Sequence, residues 1–381
     1  MRLPDVPKTG HFTRLTPTLY EAALSCKARA RWTAFGDRSA LPQHPQAILG
    51  SALHAVMEAA HKGKLANADQ RMAARMHFDV AVKELYERSH PLVRRKFSSQ
   101  ERLPYYYLFR ERAALLAMDA ATTNQGATHS SEVPSEAASQ RAGAEQWLET
   151  TDGLLAGRSD YINAAAGEVV DYKTGAAPED AEGMYDSEAR QLRFYAHLAL
   201  SSGIRVKQGV IVRADGRRIA VGITEKEAAA EGERARQTLA ALNSATEKPF
   251  EELAEPSARG CRYCPCIPFC ESFWQKASSD WAADLGLHAE GRVTSVSRGI
   301  TQNMALLTID MLVERGTVAA GPAVVEQLPE SWAVADGTAA PQAGDLVRIT
   351  HVRVHAVQQT PTLIRADRVA STIWTVEEAK T

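Results

Sequence analysis

Asp160, Asp171 and Lys173 are the residues of this chain whose types and spacing can do chemistry. Residues 154–162 and 168–172 are short apolar-rich runs, and residues 163–167 between them are small and turn-prone, which reads as a β-hairpin. Asp160 falls in the first strand, and Asp171 and Lys173 at the end of the second. Strand side chains alternate, so residues 171 and 173 leave the same face. Two carboxylates on neighbouring strands can hold a hard divalent cation, and Mg²⁺ favours a few carboxylates, waters and phosphate oxygens. A lysine beside them can orient or deprotonate an attacking water and offset phosphate charge. On its own, Asp-x-Lys is an ordinary solvated pair, so the elements around it decide its meaning.

Thr174-Gly175 ends the second strand, and RQLRFYAHLAL then reads as a helix with Gln191 and Tyr195 at i, i+4 on one face. Upstream, residues 47–64 form a helix with an apolar stripe of Leu49, Leu53, Val56 and Met57. His54, Glu58 and His61 run along another face of it. Taken in order, G-x-x-x-H, G-x-x-D, V-D-Y-K-T-G and Q-x-x-x-Y resemble the RecB-type branch of the PD-(D/E)xK nucleases. The resemblance implies an α/β, restriction-endonuclease-like core, a mixed sheet flanked by helices. It implies Mg²⁺ or Mn²⁺ held by His54, Asp160, Asp171 and the backbone carbonyl of Tyr172. It gives Lys173 the catalytic role and makes Gln191 and Tyr195 the support of the site. Glu145 also matches a glutamate that precedes the first strand in that family, whereas Glu58 and His61 read as surface groups. The implied activity is a deoxyribonuclease acting on single-stranded DNA or frayed ends, and an exonuclease more than an endonuclease.

Near the C-terminal side of this region, residues 261–270 read CRYCPCIPFC. Cys261, Cys264 and Cys270 form C-x2-C-x5-C, with Cys266 as an extra thiol and two prolines stiffening the loop. Three close thiols in such a loop point to metal, and Zn²⁺ would accept four thiolates. Together with one distant cysteine, Cys26, the arrangement resembles the iron–sulfur nucleases of the AddB and CRISPR-associated exonuclease type. That resemblance implies a [4Fe–4S] cluster held by Cys26, Cys261, Cys264 and Cys270, stapling the two ends of a domain over residues 1–280.

The 381 residues carry a formal net charge of −2, so there is no global basic signature, and nucleic-acid contacts must come from local patches. Arg94, Arg95 and Lys96, in a basic connector, are one candidate edge for phosphates. No apolar run reaches the ~18 residues of a membrane helix, and the N-terminus lacks a signal peptide's apolar core. A cytoplasmic protein is expected, and there its cysteines suggest metal or redox chemistry more than disulfides. Other expected elements are a helix over 18–31 containing Cys26, helices over 69–87 and 105–123, a small-residue loop over 122–143, and strands over 206–213 and 218–223. Thr224 with Glu227 forms a capping box for a long helix.

Residues 281–287 read as a linker, and 288–381 change character. Runs at 290–297, 304–313, 318–325, 346–357 and 362–373 alternate apolar and polar residues, which suggests a small antiparallel barrel, most simply an OB-like fold. His351, Arg353 and His355 alternate there and could track a phosphate backbone. The chain has no Gly-x4-Gly-Lys-Ser/Thr loop, so unwinding would need a helicase or other ATPase partner in trans. Such pairings serve DNA repair or antiviral defence. The rival reading is a DNA-end-binding or scaffold subunit whose nuclease core is silent without a partner.

Overall fold

The computed structural model describes residues 1–65, 69–126, 143–175, 183–301, 304–334, 339–354 and 361–376, with the side chains of 121–126 left aside. The expected small-residue loop and His355 lie mostly or wholly outside these residues. Helix α1 spans Pro17–Ser25, with Thr16 accepting from the Leu19 N–H as its cap, and α2 spans Lys27–Phe35. The single helix expected over 18–31 is therefore two. Cys26 breaks it with extended backbone, φ −170° and ψ 128°. Three helices follow as anticipated: α3 (Pro45–His61), α4 (Gln70–Glu87, capped by Asp69) and, after a short α5 (Pro91–Lys96), α6 (Tyr106–Gly126).

The first sheet has strands β1 (Gly143–Glu149), β2 (Ala156–Asn163), β3 (Glu168–Lys173), β4 (Gln208–Arg213) and β5 (Arg218–Gly222), in that spatial order. Helix α7 (Asp186–Ser201) crosses between β3 and β4, which pair in parallel, while the other pairs are antiparallel. A crossover of this kind is what lets two sequential strands run parallel. Alternation decides the two faces. Val170, Tyr172, Val210 and Val212 enter a core with α3, α4 and α6. Ile162, Val169 and Ile211 enter a second core with α1, α7 and the long helix α8 (Glu225–Asn243). Thr224 and Glu227 cap α8 reciprocally, as the capping box requires.

The second sheet is built from β6 (Leu287–Thr301), β7 (Met304–Gly316), β8 (Gly321–Pro329), β9 (Leu346–Val354), β10 (Thr362–Ala366) and β11 (Thr372–Val376). The run expected at 362–373 is divided, so there are six strands rather than five. Strand β6 pairs with β7, β7 with β8, β8 with β10 in parallel, β10 with β9, and β9 back with β6, which closes a ring. Val293, Ile309, Val325, Val347 and Ile364 fill its interior.

The segment between the sheets is packed rather than loose. Residues 282–285 form a helical turn, and Leu285, Trp274, Trp374 and Met1 share one core with the cysteines. Thr375 N–H donates to Met1 O at 2.8 Å. Glu290 and Arg348, 0% and 3% exposed, form a buried ion pair, and Arg348 Nη1 donates to Pro268 O at 2.9 Å. The ring is thus bolted to the cysteine loop by its own charges.

Candidate active site

The hairpin, α3 and α7 bring the expected residues together. Asp160 lies in β2, and its Oδ2 accepts from the backbone N–H of Tyr172 in β3 at 2.7 Å. His54 on α3 reaches it from the helical side, with Nδ1 3.2 Å from Asp160 Oδ1. Glu145 completes a tight group. Its partner strand pairs Ala144 with Tyr161 and Gln146 with Ser159, so Glu145 stands opposite Asp160. One ligand atom from each of His54, Glu145 and Asp160 lies within 4.8 Å of the others. Glu145 also has φ +53°, the left-handed region, which costs a non-glycine residue of order 1 kcal/mol or more and marks sites held by their surroundings.

Asp171 stands beside this group and is 3% exposed. Gln191 Nε2 donates to Asp171 Oδ1 at 2.9 Å, and Gln191 Oε1 accepts from Lys173 Nζ at 2.7 Å. Lys173 Nζ is also 2.8 Å from Asp171 Oδ2, so the ammonium pairs with that buried oxygen. Tyr195 does something different from Gln191. Its hydroxyl donates to Arg158 O at 2.8 Å, pinning β2 two residues before Asp160. Tyr195 therefore positions the strand and leaves Lys173 to Gln191.

Electrostatics follow from crowding three carboxylates. Burial, reinforced by the Asp160 charge and opposed by Lys173, pushes the Asp171 carboxyl up to about 6. Burial and then the Asp160 and Glu58 charges raise Glu145. Burial pulls the His54 imidazole down, but its bond to Asp160 and the surrounding carboxylate charge outweigh that and leave it raised. A divalent cation fits this donor set: clustered carboxylates whose repulsion it would relieve, a buried carboxylate beside them, and an imidazole nitrogen. Imidazole is foreign to the all-oxygen shells Mg²⁺ prefers, so the set favours Mn²⁺ at least equally.

Glu145 is reached in the sequence only through the resemblance. Nothing local marks it, because its place depends on strand register and on a left-handed backbone. The expected nucleic-acid contacts fare differently. Arg94, Arg95 and Lys96 lie in α5, not a loop. Lys96 is 6% exposed and donates to Ser371 O, Arg95 donates to Val334 O, and Arg94 donates to Glu87 O at 2.8 Å. A phosphate-contacting role is thereby corrected for Lys96, which docks the ring instead. Burial also lowers its pKa to about 8. His351, at φ +54°, packs its ring 4.8 Å from that of buried His288, and burial lowers its pKa, so it is not an open cationic contact. Arg353 is exposed and ion-paired with Asp367 at 2.6 Å.

All five cysteines fall in one cluster. Cys261, Cys266 and Cys270 are buried, and Cys26 and Cys264 pack against them. The break between α1 and α2 turns Cys26 toward this loop, where its sulfur accepts from the Glu255 N–H at 3.4 Å. Burial pushes Cys261 up to about 11 and Cys270 up to about 12, whereas a hydrogen bond with Cys266 brings Cys264 down to about 7.

A helix-flanked mixed sheet that presents clustered carboxylates, a histidine and a lysine beside one hairpin defines a restriction-endonuclease-like, metal-dependent nuclease. A family model of the PD-(D/E)XK nuclease superfamily matches residues 14–271, and the chain belongs to that superfamily. No curated protein matches the chain. No helix among the described residues is long and apolar enough to cross a membrane.

Proposed function

We propose that this protein is a RecB-like deoxyribonuclease that hydrolyses single-stranded DNA or frayed ends, as an exonuclease fed by a helicase partner in trans. The observation that carries the reading is Gln191 bridging Lys173 and Asp171 while His54 and Glu145 close on Asp160. A degenerate scaffold would have no reason to keep all six groups in mutual register. His54, Glu145, Asp160 and Asp171 are the residues that would hold Mg²⁺ or Mn²⁺. When bound, the cation offsets charge on the scissile phosphate and acidifies a water. Lys173, fixed by Gln191, orients that water and stands against the charge that builds on phosphorus. Tyr195 and the Tyr172 N–H hold Asp160 in place.

Two finer features belong to the same proposal. The five thiols gathered in one core, Cys26 among them from the far end of the domain, support a [4Fe–4S] staple. The strand order of the ring, with a parallel β8–β10 pair among antiparallel neighbours, supports an OB-like barrel. The proposed units are residues 1–280 and 288–381. The deciding experiment is single-strand cleavage in Mn²⁺ by anaerobically purified protein beside Lys173→Ala. Cleavage lost in the variant supports the reading, and no cleavage by either protein removes it.

A further inference from the structure

Trp147 stands open on β1, an edge strand of the first sheet, at 49% exposure. The other five tryptophans are buried or half-buried. A single exposed indole is ordinary on a protein surface, and its neighbours make this one specific. Trp147 pairs across the ladder with Arg158 of β2, so the two side chains leave the same side of the sheet. The Arg158 guanidinium lies 3.6 Å from Glu145 Oε2, and Glu145 belongs to the group with His54 and Asp160. The indole and the metal-binding carboxylates therefore share one side. Glu145 and Trp147 are two residues apart on β1, roughly 7 Å along a strand.

Arg14 comes to the same place from the N-terminal segment. Buried Leu15 bridges to β2: its N–H donates to Leu154 O at 2.8 Å, and its carbonyl accepts from the Ala156 N–H at 3.0 Å. That fixes Arg14 with its guanidinium carbon 5.8 Å from the Trp147 ring centroid. Both guanidinia are exposed and loosely paired, Arg14 with Glu149 at 3.9 Å and Arg158 with Glu145 at 3.6 Å. Exposed pairs of this kind contribute little and leave N–H donors for other anions. Guanidinia for phosphates beside an aromatic face for a base are the means of holding a single strand without sequence preference. We propose that Trp147 is the stacking platform for the nucleobase next to the scissile phosphate, with Arg14 and Arg158 on the flanking phosphates. A paired base inside a duplex is covered on both faces, so the platform selects unpaired strand. The inference rests on the nuclease reading and deepens it, by naming the residue that makes this site prefer single strands.

The test uses the full chain in Ca²⁺ and oligonucleotides short enough to bind in one register, checked to be intact. Affinity is read by anisotropy of an end label. Trp147→Ala should weaken single-strand binding about five- to hundredfold, and Trp147→Phe less than about threefold. Binding of a blunt duplex should be the same in all three proteins. The wild-type strand complex should quench tryptophan fluorescence, and Trp147→Phe should lose that quench while still binding. An abasic site walked along the strand should cost wild type most at one position, and cost Trp147→Ala nothing further there. Melting curves confirm that each variant folds. A folded Trp147→Ala with wild-type affinity, or a wild-type abasic walk with no favoured position, overturns the proposal. Cleavage in Mn²⁺ is scored separately against Lys173→Ala, so failure of the nuclease reading shows there and not in the binding data.

Discussion

A Cβ added to Gly50 would lie 2.7 Å from Thr174 Oγ1. This close approach sets α3 against the end of β3 and carries His54, one turn further along, to Asp160. Glycine is there for contact, since a helix interior otherwise disfavours it by roughly 1 kcal/mol against alanine. Gly50→Val should therefore cut the cleavage rate at least tenfold while changing stability by about 1–3 kcal/mol. Gly50→Ala should be milder, and adding Thr174→Ala should restore much of its loss. Rates of the single and double variants, with melting curves, check this. A Gly50→Val enzyme at wild-type rate would show that the approach does not set the site.

Gln191 predicts a graded series. Lys173→Ala and Asp171→Ala should abolish cleavage and leave DNA affinity, read by fluorescence anisotropy, within about threefold of wild type. Gln191→Ala should lose an intermediate ten- to hundredfold, because it unfixes both partners without removing either. Tyr195→Phe should cost less and act on stability too, since its hydroxyl holds the Arg158 carbonyl.

The Asp171 carboxyl fixes the sign of a pH effect. Its folded value, near 6, lies above its ordinary 3.8. Between those values the native state binds the extra proton, so its contribution to stability falls as pH rises toward 6 and stays low above it. The penalty is at most about 3 kcal/mol. A cation at the site removes it, so Mn²⁺ should raise the melting temperature more at pH 7.5 than at pH 5. Asp171→Asn should melt higher than wild type without metal and gain little from Mn²⁺. An equal metal-induced shift at both pH values would contradict this origin.

The hairpin that carries the candidate site is legible in the sequence because it is local. Asp160, Asp171 and Lys173 need only the period of two and a turn, and Gln191 and Tyr195 only the helical period. Register was not legible, and Glu145 depends on it. Lys96 misled because a lysine in a basic run looks solvated until Ser371, far along the chain, covers it. The resemblance makes Cys26 a ligand candidate, but the break that presents it is hidden inside a good helical pattern.

The cysteine loop predicts linked losses. The proposed cluster, tying Cys26 to Cys261, would close a very long loop, worth about 5 kcal/mol in the chain-entropy model. Cys261→Ala and Cys26→Ala should each bleach the brown absorbance and lower soluble yield. Cys266→Ala should keep the colour, because Cys264 can serve as ligand without its hydrogen bond. A colourless Cys266→Ala beside a brown Cys264→Ala would exchange their roles.

The barrel's attachment changes what its removal can report. From sequence alone, deleting residues 288–381 should weaken strand binding more than chemistry, as if the barrel hung from a linker. The packing argues otherwise. Trp374 fills the core around the cysteines, Arg348 holds the Pro268 carbonyl inside the cysteine loop, and Glu290 is fully buried between Arg348 and Arg315. Truncation should thus expose that core and cost the proposed cluster, so absorbance, yield and cleavage should fall together. Arg348→Leu isolates the same joint more gently. Breaking a buried pair from one side costs about 3–5 kcal/mol, although Arg315 still offsets part of the Glu290 charge. Thermal unfolding should stay a single transition shifted downward, followed by both cluster absorbance and tryptophan fluorescence. Two separated transitions in the variant would mean that the barrel folds independently and merely leans on the cysteine loop.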